Sequence, residues 1–501
     1  MTKYHSLVKR LPFLCVFLLF SSNTIAKSAT VHLTINNFVG SIGVYNPSLR
    51  YHLTKEIVTT LNLDKKRSAS YSMNIEKPTF LILYLNSNIF LNFSLFLTPG
   101  DEIFLNADFS KSKANVVVTG KGSNNNQPDA FALTNMETRP FKGDLLPNRV
   151  LAAINKKSIA NKSLLTNYIK KYKPSTAFIK MAQVNLTYFV PSTYYEFNHN
   201  NNFGKSPDKL KKWQQIQDSI FSTIKLNNSS ALIAYNYTHL IDNFILRETE
   251  NLGMQFETNP KLFFKQWYNY DLDRGLKFIK GKPPGILDEK IIDTYFTGNV
   301  AQYAYSWSLK HAFHRADYSS TILVFNHFKE KYPKSIFLRN FQGPIIEIID
   351  KQRKVLNSKA IFLKNNGKDL NTLKEVLALT KGKVTFIDMW GTWCGPCREE
   401  LEKNTARLST YFRGKSIVFI YIANFNIAQE KEWKKQIAYF QLEGVHILAN
   451  SRLTKDIMDK VKGTGYPTYI IAKKDGSYKQ TVTKYPVNIE AMIKEIDAVS
   501  K

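Results

Sequence analysis

The pattern of apolar and polar positions divides the chain into three regions behind a short leader. From about residue 28 to 125 the period is two: Thr30-Val31-His32-Leu33-Thr34-Ile35 alternates, and 79–85 and 89–97 are runs of β-branched and aromatic residues. Thr98-Pro99-Gly100-Asp101 is a turn signal before a further strand over 102–106. Val116-Val117-Val118 then runs into Gly120-Lys121-Gly122-Ser123 and an asparagine run, which reads as a boundary. Short strands with regular turns predict an N-terminal antiparallel, β-sandwich-like domain over 28–125.

From about 128 to 355 the period becomes helical. Trp213, Ile216, Ile220 and Ile224 recur at helical spacing, as do Leu240 and Phe244, and less cleanly Tyr303, Trp307 and Ala312. Tyr172-Lys173-Pro174 and Tyr332-Pro333 read as helix ends, because proline disfavours helix before it. These signals predict a central α-helical region. His311 and His314 share a helical face, but a metal site needs further ligands and the sequence offers none; no metal is expected.

From 356 to 501 strand and helix patterns alternate. Strands are predicted over 383–389, 416–423 and 445–449, with helices over 394–412, 429–441 and 453–461. Leu401 and Leu408 lie on the apolar face of the first helix, and Trp433, Ile437 and Phe440 on that of the second. A hairpin over 468–472 and 477–482 turns at Lys474-Asp475-Gly476, and a last helix covers 489–499. This order predicts a mixed sheet flanked by helices.

The leader, residues 1–26, has the form of an export signal. Lys3, Lys9 and Arg10 form a basic start, 11–20 is a short apolar run, and Thr24-Ile25-Ala26 resembles a cleavage site. The apolar run falls short of the roughly 20 residues a span needs, although an uncleaved anchor is the alternative. The expected location is the periplasm or cell envelope. Sixty-nine Lys and Arg against 40 Asp and Glu give a formal charge of +29. That excess favours anionic surfaces, lipid headgroups included, so membrane-surface association is one expectation. The lysines are scattered and no nucleic-acid motif appears, so nucleic acid is not an expected partner.

Composition changes the picture most through cysteine. The chain has three: Cys15 in the leader, and Cys394 and Cys397 in Trp393-Cys394-Gly395-Pro396-Cys397. Two cysteines at this spacing can close a disulfide within one helical turn. A structural bridge over so short a loop would stabilise little, and a zinc site would need a second ligand pair. Redox chemistry fits better, since the thiolate is the attacking species. Cys394 at a helix start meets unpaired backbone N–H groups and the positive dipole end, which favour its ionised form. Cys397, one turn inside, is placed to displace a captured substrate. Pro396 is tolerated in a first turn, Gly395 keeps the approach to Cys394 open, and Trp393 offers a contact surface.

Residues 356–501 resemble thioredoxin-fold proteins, in particular the exported thiol–disulfide oxidoreductases of the TlpA/ResA type. The resemblance rests on Phe386-Ile387-Asp388-Met389-Trp390-Gly391-Thr392-Trp393-Cys394-Gly395-Pro396-Cys397-Arg398-Glu399-Glu400-Leu401 and on Gly465-Tyr466-Pro467-Thr468. An added helix and strand over 429–449 fits that type better than plain thioredoxin. The resemblance implies a cis Pro467 facing the cysteine pair, with Tyr466 offering backbone hydrogen bonds to an extended substrate. It implies that Asp388 is buried beneath the pair and moves the proton of the second cysteine, and that Glu400 is an acid near the site. It implies reduction of protein disulfides with no bound cofactor beyond the Cys394–Cys397 pair. Electrons would come from a membrane thiol-transferring donor, and targets would be envelope proteins with cysteine thiols or disulfides, apocytochrome c among them. The first two regions look like the extensions that precede such domains in envelope proteins, through 97–101 and 120–122. A disulfide oxidase or isomerase, and a binding or scaffold protein with an accessory redox domain, are the alternatives.

Overall fold

The structure is a computed structural model that describes residues 27–45, 53, 58–86, 91–110, 114–132, 146–202 and 207–500. The export-signal reading, Cys15 included, lies outside those residues. The chain divides into two compact units. One holds the described residues within 1–44, 60–132 and 168–178, and the other those within 45–59, 133–167 and 179–501.

The first unit is built from strands β1 (Lys27–Asn36), β2 (Ser41–Tyr45), β3 (Val58–Leu61), β4 (Ser68–Ile75), β5 (Thr79–Asn86), β6 (Leu91–Leu97), β7 (Glu102–Asp108) and β8 (Asn115–Lys121). They form two four-stranded sheets, ordered β4-β1-β7-β8 and β3-β2-β5-β6. Alternate residues point inward, so Val31, Leu33 and Ile35 of β1 meet Leu81 and Leu83 of β5 and Leu95 of β6 in one apolar core. The sheets are not wholly antiparallel as the turn pattern suggested: β1 pairs parallel with β7. Sequence order cannot reveal this, because β7 comes to β1 from far along the chain.

The second unit contains a helical region and a mixed sheet. Its helices are α1 (Pro147–Tyr172), whose last turn belongs to the first unit, α2 (Thr176–Thr187), α3 (Phe189–Asn202), α4 (Pro207–Ser222), α5 (Tyr235–Thr258), α6 (Pro260–Tyr268), α7 (Leu272–Ile279), α8 (Gly285–Tyr295), α9 (Gly298–His314), α10 (Tyr318–Lys331) and α11 (Leu338–Gln352). Their shared core is aromatic, with Tyr195, Tyr237, Phe263, Phe264 and Tyr305 fully buried. His311 stacks on Trp307 with ring centroids 4.9 Å apart. Among the described residues no group of three or more His, Cys, Asp or Glu could hold a metal.

After α11 come β9 (Ala360–Phe362), α12 (Leu373–Ala378), β10 (Val384–Trp390), α13 (Gly395–Phe412), β11 (Ile417–Ala423), α14 (Glu430–Phe440), β12 (Gly444–Leu448), α15 (Ser451–Val461), β13 (Thr468–Ala472), β14 (Tyr478–Gln480) and α16 (Ile489–Ser500). The sheet order is β14-β13-β10-β11-β12-β9. β10 is parallel to β11 and antiparallel to β13. The order β14-β13-β10-β11, with α13 crossing from β10 to β11, α16 packed beside α13 on the same face and α12 and α15 covering the other, is the thioredoxin arrangement. α14 and β12 extend it beyond β11, and β9 pairs with β12. β10 is flanked on both edges and covered on both faces, so all seven of its residues are buried. That burial matches its continuous apolar run and anchors the turn that carries the cysteine pair. Among the described residues, no helix is long and apolar enough to cross a membrane.

Candidate active site

The site forms where β10 ends. Cys394 is the N-cap of α13, with extended backbone, and its Sγ accepts the N–H of Cys397 at 3.2 Å. Pro396 sits in the first turn, where its missing N–H costs no helical hydrogen bond. Cys394 and Cys397 are joined as a disulfide with Cα atoms 5.3 Å apart. Both are buried, at 3% and 1% exposed. A helix N-terminus carries partial positive charge from N–H groups with no partner in the preceding turn, and a thiolate formed at Cys394 would be stabilised by it.

The turn is held by buried asparagines at the end of β11. Asn424 donates from its side chain to the Trp390 carbonyl at 3.1 Å and accepts from Thr454 Oγ1 at 2.9 Å. Asn426 Oδ1 accepts the Thr392 N–H at 3.0 Å. The Trp393 indole N–H donates to the Asn424 carbonyl at 2.9 Å, which lays the ring beside the dithiol while leaving it 48% exposed. Tyr466 meets that indole edge-on, centroids 5.5 Å apart. Phe425, 63% exposed, completes an aromatic group with both rings. Its φ of +58° is unusual for a bulky residue. The Tyr466–Pro467 peptide bond is cis, as is Tyr485–Pro486.

Asp388 lies mid-strand in β10, opposite Tyr421 of β11 and Tyr469 of β13. It is 5% exposed, and its Oδ1 has no hydrogen-bonding partner among the described residues. Burial, with a smaller contribution from the charge of Glu400, pushes its carboxyl up to about 8. Glu400 is also buried. Its carboxylate accepts the Val487 N–H at 3.1 Å and an amide N–H of Asn404. Burial raises its pKa against those hydrogen bonds. Asp388 and Glu400 line one small cavity with Leu401, Asn404, Tyr421 and Tyr469.

Trp393, Cys394, Gly395, Pro396 and Cys397 thus follow the end of β10, where Tyr466 meets Trp393 and Pro467 precedes the Thr468 that pairs with Met389, while Asp388 and Glu400 share a cavity that the cysteines do not line. Two arginines were not anticipated. Arg398 is buried, and its guanidinium donates to the Thr392 carbonyl and, at 3.3 Å, to the carbonyl of Arg315. The side chain of Arg315, at the end of α9, takes the space beside Gly395 that the sequence suggested was open: a Cβ there would lie 3.2 Å from its Nε. Arg398 directly follows Cys397, so its proximity was legible and its bonding was not. No motif marks Arg315. The buried Asn424 and Asn426 carried the one usable signal, polar residues at the carboxyl end of a parallel strand, where sites in such sheets gather.

No family model matches the chain. An uncharacterized protein of Haemophilus influenzae is 29% identical over 119 residues, which are 23% of this chain and 73% of that protein. The thiol-disulfide oxidoreductase ResA of Bacillus subtilis is 25% identical over 116 residues, covering 23% of this chain and 61% of its own length. A solution structure of a provisionally assigned thiol-disulfide oxidoreductase from Bacteroides vulgatus is 30% identical, covering 24% of this chain and 77% of that one, with a TM-score of 0.21.

Proposed function

The C-terminal domain is thioredoxin-like, of the ResA type, and from that premise we propose that the protein is an exported thiol–disulfide oxidoreductase that mainly reduces protein disulfides. The observation that carries this reading is Cys394 at the start of α13, accepting the Cys397 N–H, next to Trp393 whose ring meets Tyr466, and with Asp388 buried in the strand that leads to it.

In the reduced state the Cys394 thiolate attacks one sulfur of a substrate disulfide. A bond forms from Cys394 to that sulfur, and the other leaves as a thiolate that takes up a proton. Asp388 accepts the Cys397 proton, and the Cys397 thiolate attacks Cys394 Sγ. The substrate's second thiol is released, protonated, and the Cys394–Cys397 disulfide closes. Two electrons and two protons have passed to the substrate. A dithiol protein in the membrane then reduces the pair by the same exchange in reverse. A carboxyl held near neutral pKa by burial suits the proton step, because acceptor and thiol are then closely matched.

Trp393, Phe425 and Tyr466 give an extended polypeptide an apolar surface on which to lie. The substrates are envelope proteins with cysteine pairs, apocytochrome c among the candidates. Export rests on the basic start and short apolar run of residues 1–26.

Two assays test the reading: insulin reduction by the full chain, and redox equilibrium of the Cys394–Cys397 pair with glutathione. Turnover together with a potential near that of thioredoxin, about −270 mV, is expected. A potential near −120 mV, the range of a strong oxidant, would reverse the assigned direction.

A further inference from the structure

The dithiol has a neighbour from outside the thioredoxin-like domain. Arg315 is the C-cap residue of α9 in the helical region, yet the three atoms nearest to a Cβ placed on Gly395 all belong to its side chain: Nε at 3.2 Å, Nη2 at 3.5 Å and Cβ at 3.8 Å. Gly395 follows Cys394 directly, so the guanidinium stands against the peptide that links the nucleophile to its helix. Two features hold it there. Arg398 donates to the Arg315 carbonyl at 3.3 Å. The next residue, Ala316, is buried with φ +51°, a conformation a non-glycine residue rarely adopts. Its N–H donates to the Phe313 carbonyl and that of Asp317 to the Ala312 carbonyl, closing the turn between α9 and α10. Outliers of this kind persist where the surroundings over-determine them, and they gather at functional sites.

We propose that Arg315 is a positioning residue for the redox reaction, which stabilises the Cys394 thiolate and so sets the reactivity and potential of the pair. This rests on the thiol–disulfide reading above. Stabilising the thiolate favours the reduced state, so the guanidinium makes the pair easier to reduce and keeps more of Cys394 ionised as the attacking species near neutral pH. Other charged or titratable groups pack around this end of α13. They are Arg398, Glu399 and Glu400 of the helix, Asp388 of β10, Glu432 of α14, Asp317 and Tyr318 after α9, and Tyr485 before α16, while Asp288 of α8 and His311 of α9 face Arg315 itself. Asp388, Glu399 and Glu400 would oppose a thiolate. Arg398 is already committed to two carbonyls, which leaves Arg315 as the cation beside Gly395.

The test uses the full chain, reduced, with iodoacetamide alkylation of Cys394 followed by mass spectrometry from pH 4 to 9. Arg315→Gln keeps length and removes charge, and Arg315→Lys keeps charge and loses the fork. Arg315→Gln is expected to shift the alkylation profile to higher pH, slowing the reaction at pH 6 by about three- to tenfold, and to lower the reduction potential. Arg315→Lys should stay close to the wild type. A Gln profile that superimposes on the wild type overturns the proposal, and so does a Lys variant that behaves like Gln, since that marks a structural role. A wild-type Cys394 that does not react at all refutes the oxidoreductase reading instead, so the two failures are distinct.

Discussion

Asp388 and Glu400 face the same small cavity behind the first turns of α13, and the charge of Glu400 adds to the burial that lifts the Asp388 carboxyl to about 8. In an unfolded chain that carboxyl titrates near its ordinary value of 3.8. Between about pH 4 and 8 the folded protein therefore holds a proton that the unfolded chain has lost, and stability falls as pH rises through that window. The slope is about 1.4 kcal/mol per pH unit at its steepest. Asp388→Asn removes the slope. The oxidised variant should melt above the wild type at pH 7, by a margin that shrinks toward pH 4. Equal melting temperatures across the range would contradict the buried, protonated carboxyl.

The same substitution should harm the chemistry while it helps the fold. With the carboxyl at about 8, roughly a tenth of Asp388 is ionised at pH 7 and acts as the acceptor. Without it, the attack of Cys397 on the mixed disulfide should slow by about 10- to 100-fold at pH 7. The loss should lessen at higher pH, where the thiol ionises unaided. Capture of substrate by Cys394 should be little changed. Quenched-flow separation of the two steps checks this, and equal slowing of both would place Asp388 elsewhere in the mechanism.

Trp393 and Phe425 are exposed beside a buried sulfur, so their effect should fall on polypeptide binding. Trp393→Ala and Phe425→Ala are each expected to raise KM for a disulfide-bonded protein by about three- to tenfold, the equivalent of losing about 1 kcal/mol of apolar contact. Reaction with a small aromatic disulfide should change less than twofold. Equal losses on both substrates would show that the rings act on the dithiol itself.

Arg398 satisfies two carbonyls from inside the protein, those of Thr392 and Arg315. Arg398→Met fills similar space but leaves both without that donor. Hydrogen bonds to a charged group contribute about 1.5–3 kcal/mol each, so a fall in stability of about 3–6 kcal/mol is expected by differential scanning calorimetry. An unchanged transition would mean that the guanidinium does not anchor the turn.

The parts of the site that lie close in sequence were legible. Strands 383–389 and 416–423 and the helix over 394–412 agree with β10, β11 and α13 within a residue, because a buried central strand and a helix of period near four leave unmistakable patterns. The N-terminal sheets were harder. β4 lacks the β-branched run that marks a strand: its serines pair with β1 through hydroxyl contacts, Thr30 with Ser72 at 2.9 Å and Thr34 with Ser68 at 3.2 Å. β2 and β9 are too short to show a period. Arg315 was invisible for another reason. It ends an ordinary helix, and what gives it meaning is the fold bringing that end to Gly395.

The most direct measurement is capture of a substrate on one sulfur. The full chain carrying Cys397→Ala, reduced and mixed with a peptide containing a single disulfide, should yield a covalent adduct that mass spectrometry maps to Cys394 and that dithiothreitol releases. The chain carrying both Cys394→Ser and Cys397→Ala, in which Cys15 is the one remaining thiol, should yield none at position 394. Absence of any adduct at Cys394, under conditions where the same peptide reacts with the unfolded Cys397→Ala chain, would contradict the account.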